Sequence, residues 1–392
     1  MFTVTRSADS GNDLHHNLQR LINLYEKYIR QYPHEFLWTY KIYKYSKERE
    51  VLIISDGKTG HLRQSEGAAK LIIQQLAVRG IRARLIMREV KFRSTLSGYF
   101  LGWMAKFSGK YQGHGCGMRY LRHALNPKSW QELMNSRPDI VISAGSSTGV
   151  VNYLLAKENQ AKSVVLMRPG NLSLRKINLV IIPRHDKPPK RSNVVITEGA
   201  LNLIDKEYLI QRTKSLEQSG LLQGRLLNSC IGVLIGGNSK KFSLSPEAVV
   251  GLIKEIKKSA EDLDADILIS TSRRSSLEVE EVIKNEFANY ARCKLLVIAR
   301  QNSNPDVVGG ILGLSSVIVI SPDSISMVSE AVSAEKYVVV FKSDNLSAKH
   351  QNFLKNYQNK KYIYMEQAKN LSLRINQLLQ DKPQINSPKD KI

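Results

Sequence analysis

The stretch that decides the fold is VLIISDGKTGHLRQSEG, residues 51–67. Apolar residues 51–54 lead into a polar, glycine-punctuated loop at 55–60. After this loop, apolar residues recur at helical spacing: Leu62, Ala69, Ile72, Ile73 and Leu76. The pattern predicts a strand, a tight loop and a helix. In an open parallel sheet such a loop lies at the carboxyl edge of the strands, where ligands bind.

A second stretch of the same kind, IGVLIGGNSKK, occupies residues 231–241. In both halves of the chain, short apolar strands alternate with polar or glycine-bearing loops and helices, which predicts two doubly wound parallel sheets of the α/β class facing a cleft. We expect a helical, aromatic and basic extension at 1–48, a first domain at 49–205, a linker at 206–225, a second domain at 226–342, and C-terminal helices with a polar tail at 343–392. The last strand of the second sheet is expected at 336–341.

Composition narrows the class of protein. The chain has 392 residues, of which 42% are hydrophobic and 24% charged, as in ordinary globular proteins. No apolar run approaches the roughly 18 residues of a spanning helix, and the first residues show no apolar signal region, so we expect a cytoplasmic protein. Its three cysteines, Cys116, Cys230 and Cys293, are far apart, which argues against a zinc site or a disulfide framework.

The net charge of +23 is unevenly distributed. Between residues 79 and 128 there are eleven Lys and Arg residues and a single acid, Glu89. Such a patch attracts nucleic acid, anionic lipid headgroups or phosphorylated substrates. The alternative is a solvated basic surface with no particular partner.

A helical stripe lies within this basic region. It consists of Leu96, Tyr99, Phe100, Trp103, Met104 and Phe107. This stripe is typical of a membrane-docking amphipathic helix, and equally of a helix that faces a protein core. The glycine-rich segment after it contains His114 and is predicted to be a loop.

Three groups of polar residues at predicted strand ends are candidates for chemistry. In loop 236–241, backbone N–H groups can face a diphosphate, although two glycines also make a plain turn. In 322–331, Ser326 and Glu330 are one helical turn apart, and a carboxylate there suits a ribose diol; the alternative is capping by Ser324 with Glu330 solvated. In the first half, Asp56 or His61 is placed to act as a general base, and residues 146–148 offer hydroxyl and N–H groups.

The segment IRQYPHEFLWTYKIYK resembles the end of lipid A (lauroyl-type) acyltransferases. The residues that carry this likeness are Pro33, His34, Glu35, Trp38 and Lys44. That family's His-x4-Asp catalytic motif is absent from the chain, so we interpret the segment as a fusion remnant that hints at envelope-lipid metabolism. A chance amphipathic leader is the alternative.

Seven motifs are distributed over most of the chain: SDGKTGHLRQSEG (55–67), ISAGSST (142–148), LMRPG (166–170), PRHD (183–186), LIGGNSKKF (234–242), STSRR (270–274) and SPDSISMVSEA (321–331). As a set, they resemble the mitochondrial-fission (elongated mitochondria) family and its bacterial members. The resemblance implies a GT-B-like fold, as in one class of glycosyltransferases, with sugar-nucleotide binding in the second domain.

The hypothesis is a metal-independent glycosyltransferase, peripheral on the inner face of the membrane, that moves a sugar from a nucleoside-diphosphate sugar to a lipid-linked or cell-envelope acceptor. It needs no cofactor besides this co-substrate. The catalytic candidates are Asp56 and His61. The donor site is assigned to Gly236, Gly237, Asn238, Ser239, Lys240, Arg273, Arg274, Asp323, Ser324, Ser326, Met327 and Glu330. The acceptor site is assigned to Gly57, Gly60, Gln64, Gly145, Ser146 and Arg168.

Two other functions remain open at this stage. A non-catalytic scaffold would keep the fold and recruit partners at a membrane. A nucleic-acid binder rests on charge alone and has no recognition motif.

Overall fold

The computed structural model describes residues 10–35, 46–107, 116–226, 229–238, 242–302, 304, 306–343 and 345–388. The chain divides into two compact units, Met1–Lys47 and Glu48–Ile392. The first contains helix α1 (Ser10–Gln31), which carries an exposed apolar stripe and confirms the predicted helical extension. The aromatic cluster at 36–40, with Trp38, and the basic residues that follow it, including Lys44, lie outside the described residues.

The second unit begins with a six-stranded parallel sheet. Its elements are β1 (Glu48–Ser55), α2 (Thr59–Val78), β2 (Arg82–Glu89), α3 (Thr95–Phe107), α4 (Cys116–Ala124), α5 (Pro127–Met134), β3 (Ile140–Ala144), α6 (Gly149–Glu158), β4 (Lys162–Leu166), β5 (Leu179–Pro183) and β6 (Val194–Thr197). The strand order is β2-β1-β3-β4-β5-β6. All neighbouring strands are parallel, and the direction in which successive strands are added to the sheet reverses between β1 and β3.

A second parallel sheet of six strands follows. Its elements are α7 (Lys206–Gln218), β7 (Cys230–Leu234), α8 (Pro246–Asp262), β8 (Asp266–Ser270), α9 (Leu277–Phe287), β9 (Cys293–Val297), α10 (Asp306–Leu314), β10 (Val317–Ile320), α11 (Ile325–Ser333), β11 (Tyr337–Phe341), α12 (Ala348–Asn359), β12 (Tyr364–Glu366) and α13 (Leu371–Asp381). The order is β12-β11-β10-β7-β8-β9, so the direction in which successive strands are added to this sheet reverses between β7 and β10. The predicted α/β class with two doubly wound sheets is confirmed.

The strands in the middle of the sheets are mostly apolar on both faces, whereas the edge strand β2 has exposed charged residues. Every residue of β7 and of β8 is buried, as expected for parallel strands covered by helices on both sides. Helix α8 begins as predicted, with Pro246 in its first turn and the Ser245 hydroxyl accepting a hydrogen bond from the Ala248 N–H at 3.3 Å.

Two parts of the predicted organisation differ from the structure. Residues 206–218 of the expected linker form α7, which packs against α10 because Gly310 lets the Leu216 side chain approach its backbone closely. The prediction that residues 336–341 form the last strand was wrong, since β12 pairs in parallel with β11. A three-residue strand is too short to show a periodic pattern in sequence.

Helix α3 has both a buried and an exposed face. Leu101 and Ala105 are buried in the core of the first half, whereas Tyr99 and Trp103 are 76% and 59% exposed. The stripe was predicted either to dock onto a membrane or to face a protein core. The helix is anchored in the core and still presents aromatic side chains to solvent, so a core-facing role does not account for the whole stripe. Residues 108–115, with His114, lie outside the described residues. Among the described helices, none is both long and apolar enough to cross a membrane.

Candidate functional site

The carboxyl edges of the two sheets meet at their two reversal points. In open α/β sheets, ligands bind outside the carboxyl ends of the strands at such a point. The contact is direct: the Arg273 guanidinium donates to the Thr59 hydroxyl at 2.7 Å, and Arg63 Nη1 lies 3.1 Å from a Glu330 carboxylate oxygen. The two predicted loops thus form the two walls of one cleft.

On the wall of the first half, Asp56 and His61 form a hydrogen-bonded pair. His61 Nδ1 lies 2.9 Å from Asp56 Oδ2, and the Ser147 hydroxyl donates to the same carboxylate at 3.2 Å. In a neutral imidazole, the Nδ1–H group donates to Asp56 and leaves Nε2 as a proton acceptor. This geometry has the form that a carboxylate-oriented general base requires, and the role of the pair in catalysis stays a prediction.

Asp56 is held in its charged form by its neighbours. Partial burial by itself would raise the pKa of this carboxyl, but the hydrogen bond from Lys58 and the charges of His61 and Lys58 hold it below its usual value. The Lys58 ammonium lies 3.0 Å from Asp56 Oδ2. A charged Asp56 stabilises an imidazolium on His61 once it has accepted a proton.

Gly145 makes room for the imidazole. A Cβ atom at this position would lie 2.7 Å from His61 Cε1, and the backbone has φ +91°, a region that favours glycine. This glycine, predicted to contact an acceptor, therefore positions His61. Gly57 also has a positive φ of +78°, in the turn that follows Asp56.

On the wall of the second half, Asp323 organises the loops. Its carboxylate accepts hydrogen bonds from the Ser321 hydroxyl at 2.6 Å, the Gly237 N–H at 3.2 Å and Arg274 Nη2 at 2.9 Å. A Cβ atom at Gly236 would overlap this carboxylate. The side chain of Asp323 is fully buried, so it shapes the loop rather than facing the cleft.

The start of α11 borders the cleft. Ser324 caps the helix by accepting from the Met327 N–H at 3.3 Å, which is the structural role weighed for it above. Ser326 lies next to Gly60 of α2: a Cβ atom at Gly60 would be 3.8 Å from the Ser326 hydroxyl oxygen. Met327 is half-buried against the second-half core.

Glu330 is buried rather than solvated, with 7% of its side chain exposed. Both carboxylate oxygens accept from Arg63 Nη1, at 3.2 and 3.1 Å. Burial raises the pKa of Glu330 even though the charge and hydrogen bond of Arg63 act in the opposite direction. The residue assigned to a ribose diol is therefore paired with an arginine of the opposite wall.

Histidines border the same edge of the sheets. His185 follows β5 and is almost fully buried, edge-on to the Phe353 ring at a centroid distance of 5.2 Å. Burial lowers its pKa to about 4, with Asp186 opposing this shift and Lys349 and His350 adding to it. His350 Nε2 lies 3.0 Å from the Asp323 carbonyl oxygen, so this cluster supports the loop that follows β10.

The remaining predicted residues are distributed unevenly. Arg168 donates to the Lys187 carbonyl at 2.8 Å and braces the loop after β5. Gln64 is buried on α2, and Ser146 is exposed beside Gly170. Asn238 follows Gly237 in the second-half loop, and its N–H donates to the Arg274 carbonyl oxygen at 2.9 Å. Ser239 and Lys240 fall outside the described residues.

Sequence reasoning missed Arg63 and Thr59, which carry the contacts across the cleft. They are four residues apart on α2 and therefore lie on the same helix face. That spacing is visible in the sequence, but their partners are more than 200 residues away. Among the described residues, no cluster of three or more His, Cys, Asp or Glu side chains is suited to hold a metal ion.

Comparison with known proteins identifies similar chains. The sequence profile of the family described as Mitochondrial fission ELM1 matches residues 59–385. An uncharacterized protein of Rickettsia prowazekii is 27% identical over 245 residues, which are 55% of this chain and 68% of that protein.

Two solved structures share the fold. The UDP-GlcNAc 2-epimerase of Methanocaldococcus jannaschii matches with a TM-score of 0.53 and 10% identity over 87% of this chain and 95% of its own. A candidate UDP-N-acetylglucosamine 2-epimerase of Listeria monocytogenes matches with a TM-score of 0.52 and 10% identity, covering 86% and 89%. The two-sheet architecture is therefore GT-B-like.

Proposed function

This chain belongs to the Mitochondrial fission ELM1 family, and we propose that it transfers a sugar from a nucleoside-diphosphate sugar to a hydroxyl group of a lipid-linked or cell-envelope acceptor. The observation that carries the proposal is the meeting of the two reversal points. One wall of the cleft holds an oriented Asp56–His61 pair, and the other holds a buried carboxylate, arginines and a glycine loop.

The second half is proposed to bind the donor. Glu330 would accept hydrogen bonds from the ribose hydroxyls after Arg63 releases it. Arg273 and Arg274 lie at the carboxyl end of β8 and would neutralise the diphosphate together with loop N–H groups and Lys240. The fold match to a UDP-GlcNAc 2-epimerase supports a UDP-sugar as the ligand class to test first.

The first half is proposed to bind the acceptor and remove its proton. His61 Nε2 takes the proton of the acceptor hydroxyl, and the oxygen forms a bond to the anomeric carbon. The bond from that carbon to the diphosphate oxygen breaks, and the nucleoside diphosphate leaves with the electron pair. The arginines stabilise the negative charge that the leaving group gains. No metal ion is required if these cations neutralise the diphosphate.

A lipid-linked acceptor is proposed because of the basic region and the acyltransferase-like N-terminal segment. The sugar transfer would then take place on the inner face of the membrane, with the protein bound peripherally. Neither feature depends on the chemistry of the cleft.

One observation favours a second function, that of a non-catalytic scaffold. Glu330 is already paired with Arg63, so the two halves are joined through the residue that a nucleotide would need. A scaffold would use this pair as a permanent connection between the halves.

The test is a thermal-shift screen against nucleotides and nucleotide sugars. A ligand at 100 times its dissociation constant stabilises the folded state by about 2.7 kcal/mol, which is readily measured. We expect stabilisation by UDP or a UDP-sugar in the native chain and its loss in Glu330→Gln. Glu281→Gln, which changes an exposed acid on α9, is the matched control. Absence of a shift with every nucleotide would refute the donor site and favour the scaffold.

A further inference from the structure

The exposed face of α3 carries four large apolar side chains. Leu96, Tyr99, Phe100 and Trp103 are 77%, 76%, 57% and 59% exposed. Their spacing of three and four residues places them on one side of the helix, and the Phe100 and Trp103 rings are stacked with centroids 6.3 Å apart. Isolated exposed apolar residues are ordinary, but a contiguous aromatic face marks an interaction site.

This face is held rigidly by the other side of the helix. Leu101 and Ala105 are buried in the first-half core. At its start, the Ser97 hydroxyl lies 3.1 Å from the Ala124 carbonyl oxygen at the end of α4. The Arg93 N–H donates to the same carbonyl at 2.9 Å, and Arg93 Nε donates to the Leu125 carbonyl at 2.8 Å. The aromatic residues are therefore presented by a folded, anchored helix.

The stretch of chain that contains this face is basic. Residues 90–131 include seven Lys and Arg residues and no Asp or Glu. On α4, Arg119 and Arg122 are exposed, with Tyr120 47% exposed between them, while Met118 and Leu121 are buried. At the border, Lys91 pairs with Glu89 at 3.3 Å. Exposed aromatic side chains and arginines on two helices that pack together, within a stretch of sequence that has no acid, are the composition of a membrane-interface surface.

The position of this surface relates it to the cleft. The Val90 N–H donates to the Ser55 carbonyl oxygen at 2.8 Å, and a Cβ atom at Gly57 would lie 3.3 Å from a Glu89 carboxylate oxygen. The segment that leads into α3 therefore starts beside the loop that carries Asp56. A bilayer bound at α3 would lie at the same edge of the first sheet as the proposed acceptor wall.

We propose that the exposed faces of α3 and α4 dock onto a bilayer that contains anionic lipids. The aromatic side chains enter the headgroup region, and Arg119 and Arg122 contact lipid phosphates. A nucleic acid would be attracted by the same charge, but it would leave Leu96 without a partner, whereas a bilayer uses both features. Docking at this surface would bring the cleft to a lipid-linked acceptor. The docking is inferred from α3 and α4 alone, and only its purpose rests on the proposed function.

The test is co-sedimentation of the full chain with vesicles of phosphatidylcholine, alone or with about a third phosphatidylglycerol. We expect binding to the anionic vesicles that weakens with added salt. The double variant Phe100→Ser/Trp103→Ser should bind about a hundredfold more weakly, because two aromatic side chains no longer enter the interface. Arg119→Gln/Arg122→Gln should bind about thirtyfold more weakly.

Matched controls carry equivalent changes on the second half. Leu277→Ser/Leu373→Ser removes two side chains that are 58% and 65% exposed, and Lys254→Gln/Lys258→Gln removes two exposed charges from α8. Both controls should bind vesicles as the native chain does. Absence of vesicle binding, equal losses in the controls, or unchanged binding in the α3 variant would overturn the proposal, as would tighter binding to single-stranded RNA than to anionic vesicles.

The UDP thermal shift, measured without lipid on the same variants, keeps the two proposals apart. Loss of vesicle binding with a retained UDP shift is the outcome expected for the α3 variant and also shows that it folds. A native chain that binds vesicles but no nucleotide would refute the donor site alone.

Discussion

Replacing Arg63 by Met removes the charge that is paired with the buried Glu330 and keeps most of the apolar stem. The Glu330 carboxylate, with 7% of its side chain exposed, would be left without its counter-charge in the closed cleft. Breaking a buried pair by removing one partner costs about 3–5 kcal/mol, because a desolvated charge is left uncompensated. This is a large part of the roughly 5–15 kcal/mol by which proteins are stable.

The cost should depend on pH with a definite sign. Burial already raises the pKa of Glu330, and loss of Arg63 should raise it further, because the remaining effect of burial is unopposed. The folded variant then takes up a proton at a higher pH than the unfolded chain does. Its loss of stability relative to the native chain should be largest near pH 7 and smaller near pH 5.

The assay is urea unfolding followed by tryptophan fluorescence and circular dichroism, at both pH values. The double variant Arg63→Met/Glu330→Gln should recover much of the loss, since no buried charge remains. Arg82→Met is the matched control, because it removes an arginine from an exposed pair with Glu48, worth about 0–1 kcal/mol. If Arg63→Met were no more destabilising than Arg82→Met, the inference that the Glu330 pair is buried and closes the cleft would be refuted.

Three further predictions concern the neighbourhood of the cleft. Under the proposed function, His61→Gln should lower kcat about 10²–10⁴-fold with a small change in KM for the donor, measured by release of nucleoside diphosphate; an equal loss of donor affinity would contradict its role as a base. Gly145→Ala should destabilise the fold by well over the roughly 1 kcal/mol expected for the control Gly80→Ala. Gly80 also has a positive φ, but no atom lies within 4 Å of the position that its Cβ would take. Equal melting temperatures of the two variants would show that the His61 contact is unimportant. Burial lowers the pKa of His185 to about 4 from 6.5, so His185 contributes stability above pH 6.5 that is lost as pH falls towards 4, by at most about 3 kcal/mol. The free energy of unfolding of His185→Gln should therefore vary less with pH over that range than that of the native chain. An unaltered pH dependence would exclude His185 as the cause.

Sequence patterns predicted the site loops because those loops are local. Residues 51–67 carry their own strand, turn and helix signals, and the helix start at Ser245 and Pro246 was likewise visible. The strand β12 and the helix α7 were not recognised. The first is too short for periodicity, and the second depends on packing against the glycines of α10, a contact with no local sequence signal.

The roles of individual site residues were harder to predict than their location. Gly236 and Gly145 are needed for close approach to Asp323 and His61, and both approaches bring together residues far apart in the chain. Asp323 was assigned to the donor, but its carboxylate is occupied by its own loops. The donor and acceptor assignments themselves stay predictions.

The sequence by itself determined the α/β class, the two strand–loop–helix units and the basic, aromatic character of α3, because periodicity and composition act over short stretches of chain. Only the tertiary structure decided that Asp56 orients His61, that Glu330 is paired with Arg63, and that the aromatic residues of α3 face solvent. Each of these depends on where two sheets bring side chains from distant positions together. Burial then sets the strength of the interaction, because a charge removed from water requires a partner that no local pattern can identify.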